Sequence, residues 1–408
     1  SILLIFIIML FSQKDKGLTQ VKTGLDVLLE KHLNLLNGKK IGIITNQTGI
    51  SSRGKHIIDE LHSVKGVIVL SLFAPEHGIR GEISNGKQVE SYFDYSTGIQ
   101  IWSLYGKNRK PTSQMLKNLD LLLFDIQDIG ARFYTYISTL GYAMEAAAEN
   151  NIEFIVLDRP NPITGVKVEG PVLDLKFKSF VGMYPIPVMH GMTVGELALM
   201  IKGEKFMKNM DKLNLMVIKI EGWKRDMWYD STGLKWVRTS PNIKNLNAAI
   251  IYPGLCLLEG TNLSEGRGTD SPFEIFGAPW IDSNTLVDKL NSLNINGVKF
   301  TPVKFVPKDI PGVAINPKYE NLLCYGAKIN ITDRNKFLPL KTALLILDTI
   351  NKTFPEKLIL FPSINRLCGN ADLKLHYNKD MTINEIYEKW EKESKEFMKI
   401  RKKYLIYK

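Results

Sequence analysis

The sequence predicts an α/β protein in which a parallel sheet covered by helices comes first and a smaller α+β domain follows. Continuous apolar segments alternate with helical segments in the first half, which is typical of parallel strands buried on both faces. The second half mixes helices with short strands. The length of 408 residues fits two or three domains, and we place the divisions at 1–20, 21–241 and 242–408. Proline and polar residues interrupt the apolar pattern at Ser240, Pro241 and Asn242.

The elements of the first domain are predicted in helix-and-strand pairs. Helices are expected, in chain order, in DVLLEKHLNLLNG, SRGKHIIDELHS, TSQMLKNL and STLGYAMEAAAENN. Each precedes an apolar strand, and these strands are KKIGIITNQTG, GVIVLSLFAPEHG, DLLLFDIQD and IEFIVLDRPNP. Gly38 ends the first helix. A capping box of Thr193 and Glu196 begins a further helix, and the strand LNLMVIKIEGW follows it.

The second domain is predicted to contain the helices SNTLVDKLNSL and LKTALLILDTINKTF and the strands VKFTPVKFVP and YGAKINIT. A capping box of Thr382 and Glu385 begins a long C-terminal helix whose apolar face carries Ile386, Trp390, Phe397 and Ile400. We interpret the many lysines of this helix as a solvated face. Contact with an anionic cell wall or membrane is the alternative interpretation.

The N-terminal residues 2–11 form an unbroken apolar run. Ten residues cannot span a bilayer, so we expect no stable membrane insertion. The run has the length of a signal-peptide h-region, and residues 1–20 are interpreted as the remnant of a signal peptide and leader. Export to the periplasm or the extracellular space is therefore expected, with a buried N-terminal strand as the alternative.

The charge of the chain does not predict a nucleic-acid partner. The net charge is +11, but only 11 of the 53 basic residues are arginine, and the last twenty residues alone contribute +5. Scattered lysine is typical of solvated surfaces, whereas phosphate recognition favours arginine. Three cysteines are too few for a disulfide scaffold or a four-thiolate zinc site.

Polar residues follow each of the four main strands of the first domain. Ligands of parallel sheets bind beyond the carboxyl ends of the strands, where the loops converge. The clusters, in chain order, are Asn46 and Gln47; Glu76, His77 and Arg80; Asp125, Gln127, Asp128 and Arg132; and Asp158, Arg159 and Asn161. Any one cluster is explained by turn chemistry, but four in succession favour a polar ligand site.

The sequence lacks the motifs of several common cofactor-dependent and hydrolytic enzymes, and we predict no cofactor and no metal. The loop from Gly49 to His56 resembles a phosphate-binding loop, but His56 replaces the hydroxyl residue that such a loop needs. There is no G-x-G-x-x-G after the first strand, no G-x-S-x-G and no zinc-binding histidine spacing. His77 with Asp125 or Asp128 remains a conceivable metal pair.

Glu76 is the leading candidate for a catalytic carboxyl group. It follows an apolar strand in Ala-Pro-Glu-His-Gly, and a carboxyl group at such a rim can have its pKa raised by desolvation, as a general acid requires. A capping or salt-bridged glutamate is the equal alternative. Asp125 and Asp128 are candidates for a base, a nucleophile or an orienting group, and their alternative role is to accept hydrogen bonds from loop amides.

Two further segments are predicted to line the site. The segment from Arg132 to Tyr136 offers a cation and two phenols, including Tyr134, for stacking on a sugar, with a place in the core as the equal alternative. A second polar, glycine-rich loop begins near the Tyr-Pro-Gly of residues 252–254 and carries Glu259, Asn262, Glu265 and Arg267. We interpret this loop as the second wall of the cleft, with a surface linker as the alternative.

Long motifs of the chain resemble the NamZ family of exo-β-N-acetylmuramidases. They include APEHGIRG, FDIQDIGARFYTYISTLGYAMEAA, VLDRPNPITG and YPGLCLLEGTNLSEGRGTDSPFEIFGAPW, all in this order, and the match weakens after about residue 340. The resemblance implies a Rossmann-like catalytic domain at 21–241 and a C-terminal α+β domain that completes the cleft. It implies an exported enzyme that releases N-acetylmuramic acid from non-reducing ends of peptidoglycan fragments, so muropeptides or disaccharides are the expected partners.

The family's Glu-His-Gly motif falls on Glu76, His77 and Gly78, and its glutamate implies Glu76 as general acid. We expect His77 to orient it and Asp125 or Asp128 to be the second polar group. Muramic acid carries a lactyl carboxylate, which calls for a fixed cation: Arg80, Arg132, Arg159 or Arg267. The alternatives are a non-catalytic exported muropeptide- or sugar-binding protein and, without a supporting motif, an amidase or esterase.

Overall fold

The structure is a computed structural model that describes residues 20–76, 78–81 and 91–408. His77 lies outside the described residues, as do residues 1–19, which form nearly all of the predicted leader. The predicted signal peptide, and the role of His77, therefore stay predictions.

A seven-stranded sheet forms the first part of the molecule and is parallel except at one edge. Its strands are β1 (Lys40–Thr45), β2 (Ile68–Ala74), β3 (Tyr92–Phe93), β4 (Gln100–Ser103), β5 (Leu121–Asp125), β6 (Glu153–Leu157) and β7 (Leu215–Ile218). Their order is β3-β4-β2-β1-β5-β6-β7, with only β3 antiparallel to its neighbour. The four main predicted strands lie side by side in the centre, and β5 is buried along its whole length.

The helices of this part are α1 (Gly24–Val27), α2 (Ile57–His62), α3 (Tyr136–Glu149) and α4 (Val194–Gly203). The capping box of Thr193 and Glu196 is confirmed at the start of α4. Two helix predictions need correction. After α1 the first predicted helix continues as a π turn and a 3-10 turn, Leu28–His32 and Leu33–Leu36. Residues 113–118 form turns instead of a helix, and Asn118 ends them with a left-handed φ of 65°.

The second part of the molecule has a three-stranded antiparallel sheet ordered β8-β10-β9. Its strands are β8 (Ile275–Ala278), β9 (Val298–Phe305) and β10 (Cys324–Ile331). Its helices are α5 (Leu246–Leu255), α6 (Ser283–Ser292), α7 (Pro339–Thr353), α8 (Ser363–Cys368), α9 (Asp372–Tyr377) and α10 (Ile383–Arg401). An α/β part followed by a smaller α+β part confirms the predicted fold class; the exact domain limits stay a prediction.

The predicted C-terminal helix is confirmed as α10, which begins at the Thr382 capping box. Ile386, Trp390 and Phe397 are buried, but Ile400 is 41% exposed. Among the helices in the described part of the chain, none is long and apolar enough to cross a membrane.

The Tyr-Pro-Gly segment at residues 252–254 was predicted to begin a loop, but it lies inside α5. Packing against α7 outweighs the local preference, because this stretch of α5 is buried. Gly254 permits the close approach, since a Cβ atom there would lie 2.1 Å from the carbonyl oxygen of Pro339. The polar loop that follows therefore starts from a rigid helix.

Candidate active site

A cavity of about 140 Å³ lies where the loops after β2 and β5 face α5 and the loop behind it. We call it the Glu76 cavity. It brings together four of the predicted site residues: Glu76, Tyr134, Glu259 and Arg267. Its other lining residues are Phe133, Thr135, Tyr136, Val181, Ser240, Tyr252, Cys256 and Leu367. Both parts of the chain thus contribute walls, and the polar loop at 259–270 contributes Glu259 and Arg267.

Glu76 is held in a tight turn at the end of β2. The amide of Gly78 donates to the carbonyl of Pro75 at 3.1 Å, and Gly78 has a left-handed φ of 76° that favours glycine. Thr135 occupies the N-cap position of α3, yet its hydroxyl does not cap the helix. It donates instead to Oε2 of Glu76 at 2.9 Å. Thus the start of α3 fixes one oxygen of the carboxyl group.

No cation of the described residues forms an ion pair with Glu76, so the salt-bridged alternative finds no support there. Its neighbour is a phenol: burial, and then the charge of Glu76, raise the pKa of Tyr105 to about 12. Among the described residues, a neutral phenol and a neutral hydroxyl contact the carboxyl group. Such surroundings suit a group that must exchange a proton.

The aromatic wall is rigid. The hydroxyls of Tyr134 and Tyr136 donate to Oγ1 and to the carbonyl oxygen of Thr239, at 2.8 and 2.5 Å. The rings of Tyr134 and Tyr136 meet edge to face with centroids 5.0 Å apart, and Tyr252 lies 5.8 Å from Tyr134. Burial raises the pKa of Tyr134, so the phenol stays neutral. Rigid aromatic faces beside polar groups suit the binding of a sugar ring.

Among the described residues that line the Glu76 cavity, Arg267 is the cation. Its Nε and Nη2 donate to Oε1 of Glu259 at 2.9 and 2.7 Å, and Glu265 lies 3.6 Å from Nε. Burial alone would lower the pKa of Arg267, but the charges of Glu259 and Glu265 hold it above its usual value. Its Nη1 has no hydrogen-bond partner among the residues that the structure describes. One donor thus remains for a ligand.

Several predicted site residues lie behind the Glu76 cavity and do not line it. Asn46, Asp125, Gln127, Asp128 and Arg159 form what we call the inner polar layer, and all are buried. Arg159 donates from Nε and Nη2 to the two oxygens of Asp125, at 2.6 and 2.9 Å. Asn46 accepts from the amide and hydroxyl of Thr48, and Gln127 donates to the carbonyl of Pro160. These contacts hold the strand ends together.

Asp128, like Asn46 and Gln127 of the inner polar layer, keeps one buried polar atom without a partner among the described residues. Its Oδ2 accepts from the amide of Gly130 at 2.7 Å, and its Oδ1 has no partner among the described residues. Burial raises the pKa of Asp128 to about 7. His190 lies 4.0 Å away, but burial lowers its pKa to about 3, so it is neutral and does not form an ion pair.

The remaining predicted site residues hold loops in place. Arg132 is fully buried and donates to the carbonyls of Pro171, Ile186, Leu367 and Cys368, which ties α8 to the first part of the molecule. Arg80 forms ion pairs with Asp59 and Asp94, which neutralise its charge outside the Glu76 cavity.

Three other polar side chains of the predicted set form hydrogen bonds to distant segments of the chain. Asn161 donates to Met192, Asn262 bridges Lys357 and Ile359, and Glu265 accepts from Lys318 at 3.1 Å. None of these three lines the Glu76 cavity.

Sequence reasoning missed Thr135, Ser240 and Cys256 as lining residues. Thr135 lies inside the segment from Arg132 to Tyr136, which was selected for its arginine and phenols. No sequence motif distinguishes a site threonine between two tyrosines from any other threonine. Ser240 and Cys256 reach the cavity only through packing of distant segments. Among the described residues, no group of three or more His, Cys, Asp or Glu side chains is placed to hold a metal ion.

The fold and the site define a two-domain α/β enzyme with a carboxyl group in an aromatic-lined cleft at the edge of a parallel sheet. Residues 41–247 match the N-terminal domain, and residues 250–407 the C-terminal domain, of the exo-beta-N-acetylmuramidase NamZ. The chain belongs to the NamZ family, as its motifs predicted, and the family is one of glycoside hydrolases.

Relatives and solved structures agree with this assignment. The peptidoglycan beta-N-acetylmuramidase NamZ of Bacillus subtilis is 46% identical over 390 residues, which cover 95% of this chain and 92% of that protein. Crystal structures of two DUF1343 family proteins from Bacteroides fragilis superpose with TM-scores of 0.88 and 0.78. They are 38% and 34% identical, and each match covers at least 95% of this chain and 99% of the other.

Proposed function

We propose that the chain releases N-acetylmuramic acid from the non-reducing ends of peptidoglycan fragments, with Glu76 as the general acid. The observation that carries the proposal is the setting of Glu76 in the cavity, where Thr135 orients it and no described cation pairs with it. The Bacillus subtilis relative, which is described as a peptidoglycan beta-N-acetylmuramidase, supports the substrate class.

Cleavage of a glycosidic bond needs a proton for the leaving oxygen and stabilisation of an oxocarbenium-like transition state. Glu76 supplies the proton, and the hydroxyl of Thr135 holds its Oε2 in one orientation. For the second polar group, the cavity offers Glu259 in place of the expected Asp125 or Asp128, which do not line it. Attack by the acetamido oxygen of the substrate is the other route, and in that route Glu259 orients the amide.

Arg267 is the residue that we propose to recognise the lactyl carboxylate. Of the four arginines predicted for this role, Arg80, Arg132 and Arg159 are committed to contacts away from the Glu76 cavity. Arg267 lines it and keeps Nη1 for a ligand. Glu259 fixes the plane of the guanidinium group, so the cation is already oriented before substrate binds.

The central test measures release of N-acetylmuramic acid from a chromogenic muramide by Glu76→Gln. We expect turnover to fall by about 10²- to 10⁴-fold, because the amide cannot donate the acid proton. Thermal unfolding should remain close to that of the wild type. Glu388→Gln is the matched control, since Glu388 is exposed on α10.

Two outcomes would contradict the proposal. Near-normal muramidase activity of Glu76→Gln rejects this residue as the acid. Binding of muramic-acid fragments by the wild type without any release of the sugar favours the alternative of a sugar-binding protein.

A further inference from the structure

A second cavity lies at the carboxyl edge of the same sheet and shares no lining residue with the Glu76 cavity. Its volume is about 240 Å³. It is lined by residues 50–54 after β1, by Arg159 after β6, and by Thr23, Tyr229, Leu234 and Lys235. We call it the Arg159 cavity. β1 and β5 are neighbours in the sheet, but the chain continues from β1 to β2 on one side and from β5 to β6 on the other. Open α/β sheets bind ligands at such a switch point.

The lining of the Arg159 cavity is cationic. Arg53, Arg159 and Lys235 line it, and no described acidic side chain does. The nearby carboxylates accept hydrogen bonds from the wall itself: Asp26 from Ser52, Glu60 from Ser51 and Arg53, and Asp125 from Arg159. Arg53 and Arg159 are thereby paired with carboxylates, so among the described lining residues Lys235 supplies the positive charge that is not neutralised.

Arg159 gives the cavity a fixed donor. Its side chain is buried, with only 3% of the residue exposed, and Nε and Nη2 are held by Asp125 and the carbonyl of Ile50. Within the described part of the chain, Nη1 has no hydrogen-bond partner and Lys235 forms no ion pair. A preoriented guanidinium nitrogen with an ammonium nearby is suited to an oxyanion.

We propose that the Arg159 cavity binds a small hydroxylated carboxylate of the sugar-acid class. The hydroxyls of Thr23, Ser51, Ser52 and Tyr229 offer acceptors for a polyol, while Ile50 and Leu234 supply apolar contact. Cavities for drug-sized molecules begin at about 300 Å³, so this cavity accepts a smaller molecule, about one sugar ring. The proposal goes beyond the muramidase reaction and does not depend on it.

The segment at 234–240 connects the two cavities and contains a tryptophan whose fluorescence can report binding. Leu234 and Lys235 line the Arg159 cavity, and Ser240 lines the Glu76 cavity. Trp236 meets the ring of Tyr229 edge to face, with centroids 5.1 Å apart. A ligand against Tyr229 is therefore expected to change the fluorescence of Trp236.

The test is calorimetric titration with D-glucuronate, supported by tryptophan fluorescence. We expect saturable binding of glucuronate and none of neutral glucose. Lys235→Gln should weaken binding by about fivefold, and addition of Arg53→Gln should weaken it further. Both side chains are solvent-exposed, so the variants are expected to fold, and thermal unfolding checks this. Lys392→Gln, on the exposed face of α10, is the matched control and should bind like the wild type.

Three outcomes overturn the proposal. The first is that glucuronate does not bind saturably. The second is that glucuronate binds the double variant of Lys235→Gln and Arg53→Gln as tightly as the wild type, whereas Arg267→Gln abolishes its binding. The third is that inorganic phosphate binds and glucuronate does not. The same titration with Glu76→Gln separates this proposal from the muramidase. Binding retained there supports the Arg159 cavity even if the catalytic role of Glu76 is rejected.

Discussion

The Glu76 cavity and the inner polar layer arise from the same sequence pattern, polar residues after parallel strands, but they have opposite electrostatics. In the cavity, Glu76 is partly exposed and is contacted by a neutral hydroxyl. In the layer, Asp125 is fully buried and is paired with Arg159 through two hydrogen bonds. A carboxylate after a strand can therefore serve chemistry or hold strand ends, and burial with pairing decides which.

The largest expected effect tests the structural side of this comparison. Asp125→Asn leaves the buried guanidinium of Arg159 without its counter-charge, and breaking such a pair costs about 3–5 kcal/mol of unfolding free energy. Glu76→Gln should change that free energy by less than about 1 kcal/mol. Urea denaturation of the two variants measures the contrast. If Asp125→Asn keeps wild-type stability and loses only activity, Asp125 belongs to the catalytic group after all.

A smaller effect concerns selectivity in the cavity. Arg267→Lys keeps the charge beside Glu259 but loses the planar donor array. We expect the preference for muramic over glucosamine substrates, measured as the ratio of kcat/KM values, to narrow by about tenfold. Arg80→Lys, outside the cavity, is the control and should leave the ratio unchanged. An unchanged ratio in Arg267→Lys would mean that another group recognises the lactyl carboxylate.

Thr135 tests how far Glu76 depends on its neighbour. Thr135→Val removes the hydroxyl that donates to Oε2 and keeps the shape of the side chain, so we expect kcat to fall by about three- to tenfold. We expect KM to change less than kcat, because this hydrogen bond orients the carboxyl group that reacts. Thr135→Ser should restore activity. A loss of stability with an unchanged kcat would indicate a merely structural role.

The smallest effect is the pH dependence that Asp128 adds to stability. Its folded pKa of about 7 lies above the unfolded value, so the folded state binds the proton more tightly. The contribution of Asp128 to stability therefore falls as pH rises from about 4 to about 7. Asp128→Asn should be more stable than the wild type at pH 8, with less advantage at pH 5. Equal advantages at both values would contradict the raised pKa.

Much of the framework could be predicted from the chain alone. Apolar runs located β1, β2, β5 and β6, and capping boxes located the starts of α4 and α10. The two-residue β3 and the four-residue β4 and β8 escaped prediction, because segments so short carry too little periodicity. The equally short β7 was predicted because it lies within a longer apolar run, LNLMVIKI. The Tyr-Pro-Gly in α5 was misassigned because packing against α7 outweighs the preference of proline and glycine for turns.

By itself, the sequence determined the α/β architecture, the NamZ family and the edge of the sheet at which polar groups collect. Those properties follow from local periodicity and from motifs that are contiguous in the chain. Only the tertiary structure decided that Glu76 and Arg267 share a cavity while Asp125 and Arg159 form a buried pair. The physical reason is that pairing and desolvation depend on which distant side chains meet, and no spacing along the chain encodes that contact.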